Sequence, residues 1–266
     1  MKTQLCIGLM SSFLLFNCST NTEENNDPNT SEPQILLSKT TTVYHANSTN
    51  PSTDVVKLDY NSQKQLVKMS SENRIAVLEY DLTGKPLKVN YEKPDGTGVY
   101  YKTCHYNGDQ LTMVKTIYPT STFNTTITYS NAKVSSISIC KSSNCTNPFT
   151  KSFLYIGDNV SEENSQGDGI GSPYHLKREF SYDSNVNPYS LINKYVRVFI
   201  GGPEFLSQNL STTEKISTKY TSGNWTQIQN ITYQVEYNNS QLPTLVVGKD
   251  DNGNEFVRRT YEYIIQ

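Results

Sequence analysis

The feature that most constrains this chain is a short unit that recurs along it. In its clearest copy, YDLTGKPLKV (80–89), an alternating run ends on tyrosine, turns over a glycine and starts again. Further copies follow Tyr60, Tyr106, Tyr129, Tyr155, Tyr182 and Tyr237, with another candidate at Tyr220. Each is a tyrosine, an Asp/Asn/Ser-rich turn and then an apolar residue opening a new strand. Such turns need positive φ or side chains that cap the turn backbone. Around them the apolar residues alternate, as in Leu87, Val89 and Tyr91 against Lys88, Asn90 and Glu92, which is the period of a strand. The run 191–200 is apolar on both parities and predicts a strand covered on both faces. No window carries a helical stripe over ten residues. The 19 tyrosines and the low charged fraction of 18% suit sheets, where Tyr and Thr pack well. The expected fold is therefore all-β. A single hairpin is marginal in water, so the units must add up to a large curved antiparallel meander, either an open sheet or a barrel-like wall.

The N-terminus reads as a targeting segment. Lys2 is followed by an apolar stretch over 5–16, too short to span a bilayer and suited to a signal sequence. Leu15, Phe16, Asn17 and Cys18 resemble a bacterial lipobox, whose cysteine is acylated, although Asn17 replaces the usual small residue. The alternative is an ordinary secreted protein cut nearby. The segment after Cys18 has no apolar residue up to Pro33 and cannot bury enough surface to order itself. The expected organisation is a signal peptide over 1–17, an acylated Cys18 with a flexible tether over 18–33, and one β domain over 34–266. The N-terminal lipid makes the membrane a partner and points to the outer membrane. Glu23 and Glu24 resemble a surface-export signal, but the choice between cell surface and periplasm stays open. A net charge of −2 supplies no basic field for nucleic acid.

Among the remaining cysteines, Cys140 and Cys145 flank a four-residue gap, which suits a disulfide outside the cytoplasm. A metal pair and two free thiols are the alternatives. Cys104 sits in an alternating run as a small buried residue.

No catalytic constellation, metal site or cofactor motif is recognisable. His45, His105 and His175 are widely spaced. The glycines Gly167, Gly169 and Gly171 lack a phosphate-binding register and read as a mobile loop. Asp250, Asn252 and Asn254 begin like a calcium loop, but Tyr261 stands where the closing Glu is needed, so a hairpin turn is expected. Asp158, Glu162, Glu163 and Asp168 read as solvated carboxylates of a surface loop. The better functional candidates are aromatic: Trp225, Tyr100, Tyr101, Tyr261 and Tyr263 could stack on a sugar or grip a peptide. Cross-strand pairing is the structural alternative for each.

The tyrosine units resemble the YD, or Rhs-type, repeats. More broadly, 55–266 resembles Bacteroidota-type lipoproteins of unknown function with a porin-like β fold. The resemblance is carried by the lipobox, Tyr80-Asp81, Tyr182-Asp183, the Asn187-Pro188-Tyr189 step and the 251–254 turn before Thr260 to Tyr263. It implies a broad curved antiparallel wall and supplies no catalytic residues. Only two copies match the YD dipeptide, so a large closed repeat shell is not expected. Candidate outer faces carry Lys88, Asn90 and Glu92, or Lys102 with Tyr100, which favours a soluble domain over a lipid-facing one. The expected role is an envelope module that binds a glycan or protein. A structural accessory subunit and an unidentified enzyme are the alternatives.

Overall fold

A computed structural model describes residues 33–45, 50–140, 145, 147–167, 174–220 and 222–266. The signal peptide, Cys18 and the tether lie outside the described residues, as does most of the glycine loop 167–171. The chain divides into units Met1–Glu32 and Pro33–Gln266, and the second holds the described structure.

Sixteen strands among the described residues follow one another as a meander: β1 (Ile35–Tyr44), β2 (Ser52–Tyr60), β3 (Leu66–Ser71), β4 (Arg74–Tyr80), β5 (Pro86–Glu92), β6 (Gly98–Asn107), β7 (Gln110–Ile117) and β8 (Thr122–Ser130). β9 (Lys133–Cys140), β10 (Phe149–Ile156), β11 (Asn159–Gln166), β12 (Tyr174–Val186), β13 (Asn209–Tyr220), β14 (Thr226–Tyr237), β15 (Pro243–Lys249) and β16 (Glu255–Ile265) complete it. β16 returns to pair with β1, Thr40 opposite Tyr261 and Tyr44 opposite Val257, and the sheet closes into a barrel. Of the two alternatives, open sheet and barrel-like wall, the closed wall is the one formed. Closure satisfies the two edges that an open meander would leave unpaired. It depends on a pairing between the two ends of the domain, which no local pattern records.

The recurring tyrosines explain how one end of the wall is held. Tight turns join β2 to β3, β4 to β5 and their successors at that end, but β3 and β4, or β5 and β6, are joined only at the other. A tyrosine near the end of six of the eight even strands, all but β10 and β14, ties those loose pairs. Tyr60, Tyr80 and Tyr106 donate through their hydroxyls to the carbonyls of Leu37, Leu66 and Pro86 at 2.8, 2.5 and 2.8 Å. Tyr129, Tyr182 and Tyr263 do the same to Leu111, Val160 and Pro243 at 3.0, 2.7 and 2.6 Å. The unit's apolar residue thus has two tasks: its side chain enters the core and its carbonyl accepts the next tyrosine. Tyr220 ends an odd strand, at the opposite end of the barrel, and does not belong to the series.

The turns are built alike. The side-chain oxygen of Asp81 accepts from the amides of Thr83 and Lys85 at 2.8 and 2.9 Å, and Asn61 and Asn238 hold their turns in the same way. The position before the turn closes has positive φ, +81° at Gly84. Asp250 caps Asn252 and Asn254 by the same device, as a hairpin turn requires.

Burial raises the phenol pKa of these tyrosines, to about 12 for Tyr182 and further for Tyr60, Tyr80 and Tyr106. A raised folded pKa means that the stability is fully present below the ordinary value of 10.0 and is lost as pH climbs through the folded value. The barrel should therefore unfold cooperatively above pH 10, with phenolate absorbance and loss of β circular dichroism rising together. Free ionisation of these tyrosines near pH 10 with the fold intact would contradict the tyrosine ties.

The run 191–200, expected as a strand, is not part of the wall. Between β12 and β13 the chain makes a 3-10 turn (Pro188–Leu191), α1 (Lys194–Ile200) and α2 (Pro203–Leu206). Asn193 caps α1 by accepting from the Tyr195 amide at 2.9 Å, and Gly201 ends it at φ +71°. Its apolar residues pack on core from more than one side, while Lys194 at its start stays exposed. Ile192 and Val196 belong to a cluster with Leu37, Leu58, Val89 and Ile231, and Phe199 and Leu206 pack on a second cluster around Leu111, Ile137 and Phe153. The insert 187–208 therefore fills the barrel rather than leaving a pore.

Strand alternation fixes the two faces of the wall. Lys88, Asn90 and Glu92 point outward, as expected, while Val89 and Tyr91 point in. Lys102 and Tyr100 are corrected: they share a parity with buried Cys104 and face the lumen. Outward positions elsewhere include Thr126, Lys177, Glu179, Lys215, Gln234 and Glu262, and exposed apolar residues such as Leu154, Ile228 and Ile264 stand among them. Exposed pairs such as Lys39 with Glu262 at 2.7 Å and Lys177 with Glu179 at 3.1 Å decorate them. Cys140 and Cys145 are joined by a disulfide, their Cα atoms 5.2 Å apart, at the end of β9.

Candidate functional site

The insert divides the lumen. On its β7–β11 side, a cavity of 460 Å³ is bordered by Tyr129, Tyr155 and charged groups. Those charges have partners. Lys133 pairs with Asp158 at 2.9 Å, and Arg197 donates to the carbonyls of Phe205 and Ser207 at 2.6 and 3.0 Å. Asp109, on the turn after β6, is held by Lys194 at 2.5 Å, by the Tyr195 hydroxyl and by Lys85 at 3.3 Å. This cluster docks the start of α1 on the wall.

The Lys194 ammonium, then the Tyr195 hydroxyl, hold the Asp109 carboxyl well below its ordinary value of 3.8. A depressed folded pKa gives a contribution that is present above that value and is lost as pH falls through the folded one. Amide exchange over 194–200 should accelerate below pH 3.8 in the native chain. In Asp109→Asn the acid-dependent step should disappear, and an unchanged acid step would show that Asp109 does not dock the helix.

Across the insert, on the β16–β1–β6 side, lies a cavity of 430 Å³. Its walls are Val56, Leu58, Met69, Tyr91 and Phe199, with Thr42, Tyr44 and Asp54 toward the loop end of the barrel. Two cations line it, Lys102 from β6 and Arg259 from β16. The Lys102 ammonium lies 5.4 Å from the Tyr91 ring centre and 5.0 Å from that of Phe199. Burial pulls its pKa down. Arg259 lies 5.8 Å from the Tyr233 ring centre. Neither cation forms a hydrogen bond or ion pair with a described residue. Glu204 of α2 also borders the cavity and feels the charge of Arg259 without bonding it.

A third polar group stands beyond Arg259. Glu163 is 2% exposed and is paired with Lys151 at 3.1 Å and Arg178 at 3.2 Å. Arg178 also holds Glu214 at 2.7 Å, and Glu214 accepts from the Tyr233 hydroxyl at 2.7 Å. The reading of Glu162 and Glu163 as solvated loop carboxylates is corrected: both lie in β11, and Glu163 faces inward.

The aromatic candidates separate. Tyr100 stacks between Tyr91 and Tyr118, centroids 4.4 and 4.6 Å apart, as an inward ladder near the loop end. Tyr101 faces outward beneath Lys88, 4.8 Å from its ring centre. Trp225, between β13 and β14, is covered by Lys177 and Lys219 at 5.3 and 4.7 Å. Tyr261 is a core residue at 4% exposure, and Tyr263 is one of the wall ties. The five therefore do not form one surface. Among the described residues no cluster of His, Cys, Asp and Glu could hold a metal ion. Lys102 and Arg259 are not legible as a pair in the sequence because β16 comes ten strands after β6; inward parity within each strand is the available signal.

A porin-like protein from Bacteroides vulgatus ATCC 8482 superposes on this structure with a TM-score of 0.58 at 11% identity, over 87% of this chain and 99% of that one. The fold is porin-like. A second porin-like protein, from Bacteroides uniformis ATCC 8492, gives 0.54 at 14% identity, over 86% and 96%. No family model and no curated protein matches the sequence. The likeness extends to the closed antiparallel wall. A membrane-spanning wall needs an outward apolar band about 25 Å tall and a polar interior. Here two apolar clusters lie inside beside the charged groups of the lumen, and the exposed apolar residues outside are interspersed with charged pairs.

Proposed function

We propose that the chain is an envelope-associated barrel that acts as a small-ligand receptor and not as a conduit. The observation that carries this reading is the insert 187–208, which is core to the barrel and leaves a closed-backed cavity on one side. At 430 Å³ that cavity falls within the range of about 300–1,000 Å³ usual for small-molecule sites. It also has the usual lining, mostly apolar and aromatic with a few polar groups. Porin-like neighbours and the lipobox-like Cys18 support an envelope location with a lipid anchor, the barrel itself standing in water. A glycan or protein held by exposed aromatics finds less support, since Trp225 and Tyr101 are separate and each lies under lysines.

Planar-bilayer recording on the full chain tests this. The expected result is no unitary conductance at any protein density. Reproducible conductance steps would show an open path through the lumen and overturn the receptor reading.

A further inference from the structure

The geometry points to a specific ligand class for the 430 Å³ cavity: a small amphipathic monoanion, with its acid group between Lys102 and Arg259 and its apolar body against Tyr91 and Phe199. This inference rests on the receptor reading and names what the receptor holds.

A cation withdrawn from water is costly unless it is paired and hydrogen-bonded, and proteins generally meet that demand internally. This barrel does so elsewhere. Arg178 and Lys151 have Glu163 and Glu214. Lys102 and Arg259 are the departure, and both line the same cavity. Lys102 has two ring faces, the Cys104 thiol on the same strand and, nearby, the like charge of Arg74, but no carboxylate bonded to it among the described residues. An aromatic face offsets part of the cost of a desolvated ammonium but supplies no acceptor for its protons. A carboxylate supplies both charge and acceptors. A neutral sugar fits less well, because the wall between the two cation-bearing strands carries Val56, Leu58 and Met69 and offers few partners for many hydroxyls. A polyanion fits less well too, since Glu204 and Asp54 border the same space and would repel further negative charge.

Calorimetric titration of the Pro33–Gln266 unit, which carries the whole closed wall, tests the inference. The probes are decanoate and decan-1-ol, alike in apolar body and different in charge. Decanoate should bind at least about tenfold more tightly, the scale of a charge-assisted hydrogen bond. Lys102→Met keeps the length of the side chain and removes its charge, and should bring decanoate to the affinity of decan-1-ol. Lys115→Met, on an exposed outward position of β7, should change neither. Equal binding of the two probes to the native unit would overturn the anion assignment while leaving a ligand-binding lumen in place. Unchanged decanoate affinity in a folded Lys102→Met would overturn it as well. If neither probe binds, the receptor reading falls with it.

Discussion

Arg178→Met is expected to destabilise the barrel by about 3–5 kcal/mol, as removal of one partner from a buried ion pair does. The mutation strands two carboxylates unequally. Glu163 keeps Lys151 at 3.1 Å and Ser165 at 2.9 Å, whereas Glu214 keeps only the Tyr233 hydroxyl at 2.7 Å. Most of the cost should therefore fall on Glu214, and adding Glu214→Gln should recover a large part of it. Urea unfolding followed by circular dichroism reads both variants. A loss below about 1 kcal/mol, the scale of an exposed pair, would mean that water reaches the cluster freely and that this side of the lumen is not closed.

A second large effect separates the two faces of the wall at adjacent residues. Phe153 is 4% exposed and packs in the cluster around Leu111 and Ile137, while Leu154 is 59% exposed and points outward. Phe153→Ala should cost about 3–5 kcal/mol through lost burial and the cavity left behind. Leu154→Ala should fall within about 0.5 kcal/mol of the native protein in water, as surface substitutions do. Denaturant titration of the pair gives the contrast. If the two losses were alike, the parity assigned to β10, and with it the inward-apolar wall, would be wrong.

The repeat made much of this barrel legible in the sequence. Tyr80, Asp81 and Gly84 announce a hairpin, and every tyrosine that ties the wall was visible as the end of an alternating run except Tyr263, whose unit has no turn after it. The turn itself carries the local chemistry, so short-range pattern sufficed. Closure was not legible, because the β1–β16 pairing brings together residues more than two hundred positions apart and neither strand differs from an interior one. The insert misled for a related reason. A short helix packed on core along much of its surface keeps few polar positions, here Lys194 and Arg197, and 191–200 then resembles a doubly covered strand; Asn193 and Gly201, the cap and the stop, are the signals against it. Lys102 and Glu163 were misplaced because charge was read as exposure. In a barrel with a partly polar lumen, register decides the face and residue type does not.

The barrel packs its apolar clusters inside, together with one buried charged cluster, and turns a face rich in charged pairs outward. Sedimentation velocity of the Pro33–Gln266 unit, purified and studied without detergent, tests this arrangement most directly. The account predicts one monodisperse, water-soluble species that takes up no detergent when micelles are added. Aggregation relieved only by detergent, with a bound micelle, would show a lipid-facing outer surface and contradict it.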